Sequence, residues 1–350
     1  MTLPPALPPR PSEAILQSAL AELAGRRLLC TSLGRAQLAA AAARAYPETA
    51  VVCHFLDLYL ADQARQLYRD GPTNLSIVCQ SDLPDDVIDV AAFPFTSSGH
   101  AELTRELMQQ AHQALVLGGR MLASTDNPRD TWLGDELRKL FDKVTRRTFD
   151  QGALYLATKT GPLKKVKRFT CEFAFRDRQR LLHAVSRPGV FSHRRVDPGA
   201  RALLEVMEVE TGQRVFDMGC GSGVIALAVA SRAEDVSVYA VDSNPRAIEC
   251  VLRGATMNGL DRIAVRLDAQ GACDAPGTFD LFLANPPYYS DHRIAAIFLD
   301  AGRRALAPGG RIHVVTKQLA WYLEAMPGRF EQVEAYQIRD YFVLTGRQGG

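Results

Sequence analysis

The sequence predicts an α/β protein of two tandem domains, each a doubly wound parallel sheet, and three observations carry that prediction. Apolar strand-like runs alternate with helical stretches through the C-terminal half. The first of those strands runs into Asp217-Met218-Gly219-Cys220-Gly221-Ser222-Gly223, a glycine-rich loop of the kind that joins a strand to a helix. The N-terminal half repeats the plan when the two halves are slid past each other by about 185 to 193 residues, a displacement that marks duplicated domains.

In the C-terminal half, Arg214-Val215-Phe216 is the strand that enters the glycine loop, and a helix follows from Val224 to Arg232. Val236 to Val241 is a second strand ending at Asp242. Asn244-Pro245 then opens a helix to about Met257, with proline at a favoured first-turn position. Ile263 to Leu267 and Phe279 to Ala284 are further short apolar runs, and Arg293 to Leu306 reads as a helix. Pro308-Gly309-Gly310 turns the chain into Arg311-Ile312-His313-Val314-Val315.

In the N-terminal half, Arg27-Leu28-Leu29 lies against Arg214-Val215-Phe216, and the alanine-rich helix after Gly34 lies against the one after Gly223. Asp57 falls near Asp242, Leu117-Gly118-Gly119-Arg120 on Pro308-Gly309-Gly310-Arg311, Trp132 on Trp321 and Phe141 on Phe330. The matched tryptophans suggest a core role for both. The chemistry is absent from this copy: Cys30-Thr31-Ser32-Leu33-Gly34-Arg35 replaces the glycine loop, and Ala92-Phe93-Pro94-Phe95 is set against Asn285-Pro286-Pro287-Tyr288. A catalytically silent first domain is expected.

The chain's 350 residues suit two domains of roughly 150 residues each. With 47% hydrophobic and 23% charged residues it can build ordinary globular cores, and a net charge of +2 leaves any nucleic-acid binding to local basic surfaces. Seven cysteines with no CxxC pair and no zinc spacing read as reduced thiols, so no metal is expected. Met1 to Pro11 has no apolar signal core, and no stretch reaches the roughly 18 apolar residues of a membrane span. A cytoplasmic protein that does not engage a membrane is expected. The division anticipated is 1–160 for the degenerate domain, 161–187 for a basic linker and 188–350 for the catalytic domain. Lys164-Lys165-Val166-Lys167-Arg168, then Arg176, Arg178, Arg180, Arg187, Arg194 and Arg195 make the region between the copies the most basic of the chain, either a solvated connection or a phosphate-contacting surface.

Gly219, Gly221 and Gly223 let the backbone turn tightly and bring N–H groups to a ligand at a helix N-terminus. The spacing is not that of a dinucleotide site, and Asp217 suits a cationic ammonium better than a pyrophosphate. Asp242, about 20 residues on, can accept both hydroxyls of a ribose. Asp268 could accept from an adenine amine, or be a surface loop carboxylate.

Asn285-Pro286-Pro287-Tyr288 closes an apolar strand. An amino group on a purine or an amide has a delocalised lone pair and is a poor nucleophile. The Asn285 side-chain carbonyl and the Pro286 backbone carbonyl can accept its two N–H bonds and aim the nitrogen for in-line attack. Pro286 and Pro287 stiffen the turn, and Tyr288 offers a ring for stacking. Downstream of the glycine loop, the pattern points to methyl transfer onto a planar nitrogen.

From about Pro188 to Thr345 the chain resembles class I methyltransferases with a "methyltransferase small" domain, and within them the bacterial ribosomal-RNA guanine-N2 methyltransferases. The segment Pro188-Gly189-Val190-Phe191-Ser192, followed by Asp197-Pro198-Gly199, is similar to the lead-in those enzymes carry before the glycine loop. The resemblance implies two tandem Rossmann-like class I methyltransferase domains, the N-terminal copy degenerate. It implies S-adenosylmethionine held by Gly219 to Gly223 and Asp242, and a guanine amine of ribosomal RNA presented to Asn285-Pro286-Pro287-Tyr288. The same motif occurs in enzymes that methylate a release-factor glutamine at N5 or adenine at N6, and guanine enzymes more often carry phenylalanine where Tyr288 stands. A silent RNA-placement factor is the non-enzymatic alternative. Ribosomal RNA or a ribosomal subunit is the expected partner.

Overall fold

A computed structural model of the protein describes residues 8–287 and 292–350, so Tyr288 lies outside the described residues. The chain divides into two compact units, Met1–Phe169 and Thr170–Gly350. The first contains α1 (Pro11–Ser18), β1 (Arg27–Thr31), α2 (Gln37–Ala45), β2 (Ala50–Phe55), α3 (Leu58–Leu67), β3 (Leu75–Cys79), β4 (Ile88–Phe95), α4 (Ala101–Ala114), β5 (Leu115–Thr125), α5 (Trp132–Arg138), β6 (Lys143–Phe149) and β7 (Gly152–Thr158). The second begins with a hairpin, β8 (Cys171–Asp177) and β9 (Arg180–Ser186). It continues through α6 (Pro198–Val206), β10 (Arg214–Met218), α7 (Val224–Arg232), β11 (Ser237–Asp242), α8 (Pro245–Asn258), β12 (Ile263–Leu267) and β13 (Phe279–Ala284). It ends with α9 (Arg293–Ala305), β14 (Leu306–Thr316), α10 (Leu319–Ala325), β15 (Glu331–Ile338) and β16 (Tyr341–Arg347).

Among the described residues, each unit builds one seven-stranded sheet with the same order: β3-β2-β1-β4-β5-β7-β6 and β12-β11-β10-β13-β14-β16-β15. The sheets are mixed rather than wholly parallel, because β16 runs antiparallel to both β14 and β15. Only Arg339 and Asp340 connect β15 to β16, with Arg339 at φ +54°, and so short a hairpin imposes antiparallel pairing. The central strand β10 pairs in parallel with β11 and β13, and Val215 to Met218 are all buried, as in a strand covered on both faces. On one face Phe216 stacks on Phe282, ring centroids 5.0 Å apart, in a core completed by Phe298 and Leu299 of α9. The other face is closed by apolar residues of α6, α7 and α8. Strand order runs outward in opposite directions on either side of β10, so its carboxyl end opens into the crevice where such folds bind ligands.

The duplication keeps one register in its first elements and drifts later. Arg27 pairs with Ala50 as Arg214 pairs with Ser237, a shift of 187 residues in both strands. Leu28 pairs with Val90 as Val215 pairs with Leu281, so β4 and β13 are shifted by 191. Two matches read from the sequence are thereby corrected. Phe55, not Asp57, occupies the place of Asp242, and Asp57 instead caps α3 by accepting the Tyr59 N–H at 2.8 Å. Pro94, not Ala92, stands where Asn285 stands, four residues beyond the Val90–Leu281 match. Neither tryptophan is in the core: Trp132 is 38% exposed and Trp321 half-buried, while their neighbours Leu133 and Tyr322 take the buried positions.

Residues 170–187, within the stretch expected to be a basic linker, belong to the second unit and are folded. β9 packs on α8, and Asp177 at the hairpin end is held by Arg232, the last residue of α7. Arg232 donates Nε to Asp177 Oδ2 at 2.8 Å and Nη2 to Oδ1 at 2.7 Å, and gives further bonds to the carbonyls of Leu204 and Met207. Both side chains are almost fully withdrawn from solvent. The two-pronged, charge-assisted contact welds the hairpin to α6 and α7.

Candidate functional site

The glycine loop forms because a strand must turn into a helix within five residues. Gly219, Gly221 and Gly223 have φ of +75°, +52° and +83°, the left-handed region that side chains disfavour. A Cβ on Gly219 would also lie 3.1 Å from the Phe298 ring. The first copy keeps the last of these turns without glycine: Ala36, 187 residues before Gly223, holds φ +58° at the same helix entry. Such a residue costs about 1–2 kcal/mol.

Asp217 lies near the end of β10 fully buried, and neither carboxylate oxygen makes a hydrogen bond among the described residues. Burial first, and the Asp242 carboxylate second, push its pKa up to about 7 from the ordinary 3.8, with the nearby Ala226 amide pulling it back in part. A buried carboxyl with unmet charge is a place for a cationic ligand group. Asp242 ends the neighbouring strand half-buried. Its Oδ2 accepts the Gly221 N–H and its Oδ1 the Asn244 N–H, both at 2.8 Å, which anchors the glycine loop to β11. Asp268 follows β12, its amide bonded to the Asp242 carbonyl at 3.0 Å, but its Oδ1 is turned into its own loop, accepting from Gln270 and Ala272. Asp217, Asp242 and the glycines thus gather at one point, with Asp268 beside them as a loop-forming residue.

Asn285 leaves β13 next to that point and is held by a residue 88 positions earlier: its Nδ2 donates to Asp197 Oδ2 at 2.9 Å. A carboxylate accepts only from the amide's NH2 end, so this bond decides which way the amide faces and turns its carbonyl away from Asp197. The same Asp197 oxygen caps α6 by accepting the Ala200 N–H at 3.0 Å. Gly199 makes the fit possible, since a Cβ there would sit 2.8 Å from Asp197 Oδ2 and 3.2 Å from Asn285 Oδ1. Sequence reasoning places Asp197 only in the lead-in; the aspartate-proline helix start was the available signal. In the first copy both partners are gone together, with Arg10 at the place of Asp197 and Pro94 at that of Asn285.

The lead-in segment lies across the start of α8. The Pro188 carbonyl accepts from Arg246 at 2.6 Å and the Gly189 carbonyl from Asn244 at 2.8 Å, while Val190 packs on Ala247 and Cys250. Cys220 is buried and its thiol pKa is driven up by desolvation and by Asp242 and Asp217, which suits a packing residue and not a nucleophile. Among the described residues no group of three or more His, Cys, Asp or Glu could hold a metal, and no helix is long and apolar enough to cross a membrane.

The Methyltransferase small domain family matches residues 182–345. The chain is 32% identical over 173 residues to ribosomal RNA small subunit methyltransferase C of Pseudomonas entomophila, an alignment covering 47% of this chain and 52% of that protein. It is 28% identical over 184 residues to the uncharacterized protein YbxB of Bacillus subtilis, covering 50% of this chain and 90% of that one. The match therefore spans about half the length of the ribosomal RNA methyltransferase C of P. entomophila. The T. thermophilus 16S rRNA N2 G1207 methyltransferase, solved with AdoMet and guanosine, superposes with a TM-score of 0.80 at 20% identity, over 97% of this chain and 92% of that one, and so shares the fold of both halves. Residues 182–345, just under half of the chain, match the Methyltransferase small domain family, and the chain carries the class I methyltransferase fold twice, with the first copy degenerate.

Proposed function

We propose that the second domain transfers a methyl group from S-adenosylmethionine to an exocyclic amine of ribosomal RNA, guanine N2 in particular. The observation that carries this reading is the Asp197–Asn285 bond, an amide held in one orientation beside an open glycine loop in only one copy of a duplicated fold. The likeness to the guanine-N2 enzyme across both halves supports the choice of substrate.

The residues present fit this cofactor. Asp217 brings a buried carboxylate that no protein donor satisfies among the described residues, suited to the ligand's ammonium, and Asp242 ends β11 where ribose hydroxyls can reach its oxygens. When bound, S-adenosylmethionine supplies a methyl group activated by a positive sulfur. Asn285, its Nδ2 tied to Asp197, aims its carbonyl oxygen to accept one N–H of the amine, and the Pro286 carbonyl accepts the other. Drawing both hydrogens toward acceptors turns the lone pair out of conjugation and toward the methyl group. Tyr288 is assigned the stacking role.

The target base must be unstacked for its amine to reach the donor. Exposed Arg176, Arg178 and Arg180 at the β8–β9 hairpin, and Lys164, Lys165, Lys167 and Arg168 in the first unit, supply positive charge for the RNA backbone. Arg187 does not, since it is paired with Glu249 at 2.7 Å.

The test is transfer of labelled methyl from S-adenosylmethionine to ribosomal RNA, to ribosomal subunits and to release factors in parallel, with nucleoside analysis of the product. Label is expected as N2-methylguanosine and should fall at least roughly a hundredfold with Asn285→Ala. Label in the release factor alone, or Asn285→Ala at full rate, would overturn the reading.

A further inference from the structure

α1 and α6 hold the same place in their domains. Both begin on proline, Pro11 and Pro198, 187 residues apart like β1 and β10, and α1 packs on α2, β5 and β7 as α6 packs on α7, β14 and β16. Their third residues differ completely: Glu13 in the first, Ala200 in the second.

Glu13 is fully buried and reaches across to the start of α2. Its Oε1 accepts the Leu38 N–H at 3.2 Å and the Ser32 hydroxyl at 3.1 Å, and Ser32 Oγ in turn accepts the N–H groups of Gly34 and Ala36. A carboxylate from one helix therefore satisfies one orphan donor in the first turn of another directly and, through Ser32, the amides that lead into it. In the second domain Ala200, Ile225 and Gly219 stand at the places of Glu13, Leu38 and Ser32, so the carboxylate and the hydroxyl are both missing from the start of α7. A second difference is independent of the first: Asp217, buried and without a hydrogen bond to its carboxylate oxygens among the described residues, replaces Cys30. A helix N-terminus that favours an anion thus lies beside a carboxylate that needs a cation, the charge pattern complementary to an amino-acid zwitterion.

Resting on the proposed use of S-adenosylmethionine, we infer that Ala200 opens the start of α7 to the carboxylate of the cofactor's amino-acid end, and that Glu13 is a built-in stand-in for that carboxylate, closing the first copy to the cofactor. The first domain is silent because it carries its own ligand group as well as lacking two of the three loop glycines, with Ser32 and Ala36 at the places of Gly219 and Gly223.

Ala200→Glu restores the stand-in to the second domain, and binding is read by calorimetry with two probes. S-adenosylhomocysteine carries the amino-acid end and methylthioadenosine does not. Ala200→Glu should weaken the first by roughly a hundredfold, as two carboxylates compete for one site, and change the second by less than about threefold. Its unliganded melting temperature should match or exceed that of the parent, because the new carboxylate caps α7. Ala200→Gln, equal in size and uncharged, should lose much less affinity for S-adenosylhomocysteine. Unchanged binding in Ala200→Glu, equal loss of both probes, or equal loss in Ala200→Gln would each overturn the inference. Parent protein that bound neither probe would instead remove the cofactor reading, and a melting temperature lowered by Ala200→Glu would then overturn the capping claim by itself.

Discussion

Replacing Asp217 by asparagine should change how the stability of the ligand-free protein depends on pH. The side chain is fully buried near Asp242, without a hydrogen bond to its carboxylate oxygens among the described residues, and its pKa is raised to about 7 from the ordinary 3.8. Between about pH 4 and pH 7 the native state keeps a proton that the unfolded chain has released, so stability falls as pH rises through that window and levels off above it. At about 1.36 kcal/mol per pKa unit, the shift corresponds to roughly 4 kcal/mol in total, of which roughly 2.5 kcal/mol develops between pH 5 and pH 8. The amide introduced by Asp217→Asn cannot ionise, so the variant should lack this share of the pH dependence. Urea titrations of both proteins at pH 5 and pH 8 measure it, and comparing the pH difference within each protein cancels any packing cost of the amide. Adding S-adenosylmethionine should shrink the loss in the parent, since a bound ammonium favours the ionised carboxyl. Equal pH dependence in parent and variant would refute the assignment of Asp217 as a buried carboxyl awaiting a cation.

Asp197→Ser retains a helix cap for α6 but is too short to reach Asn285, so kcat should fall between roughly 10- and 100-fold while cofactor affinity and melting temperature stay near the parent's; calorimetry, melting curves and steady-state rates check this, and an unchanged kcat would remove Asp197 as a positioning residue. Asp177→Ala leaves the Arg232 guanidinium buried without its carboxylate and should cost about 3–5 kcal/mol, read as a lower urea midpoint. Pairing it with Arg232→Met should recover much of that loss, because the uncompensated charge is then gone.

Much of the candidate site's local geometry was legible before any tertiary contact was known, because its residues lie in short stretches of chain. The glycines after Asp217 need only each other's neighbours to make the turn, and Asn285 sits next to the two prolines that stiffen it. Helix limits were equally local: α7 runs from Val224 to Arg232 as expected, and α8 opens at Pro245 behind an Asn244 side chain that accepts the Arg246 N–H at 2.9 Å. The duplication was visible, but not its register. Matching by composition placed Asp57 near Asp242 and Ala92 on Asn285, whereas hydrogen-bonded strand pairing, which tolerates no slip of one residue, assigns Phe55 and Pro94.

What the sequence determined by itself was the kind of protein: tandem α/β domains, a glycine loop, and an Asn-Pro-Pro turn at the end of an apolar strand. What only the tertiary structure decided was which distant residues complete that chemistry. Asp197 meets Asn285 across 88 positions, Arg232 closes on Asp177 across 55, and Glu13 reaches the start of α2 across 25. Such contacts depend on how helices settle on a finished sheet, so their energy is gained only after the whole domain has packed, and no local stretch of chain carries their signature.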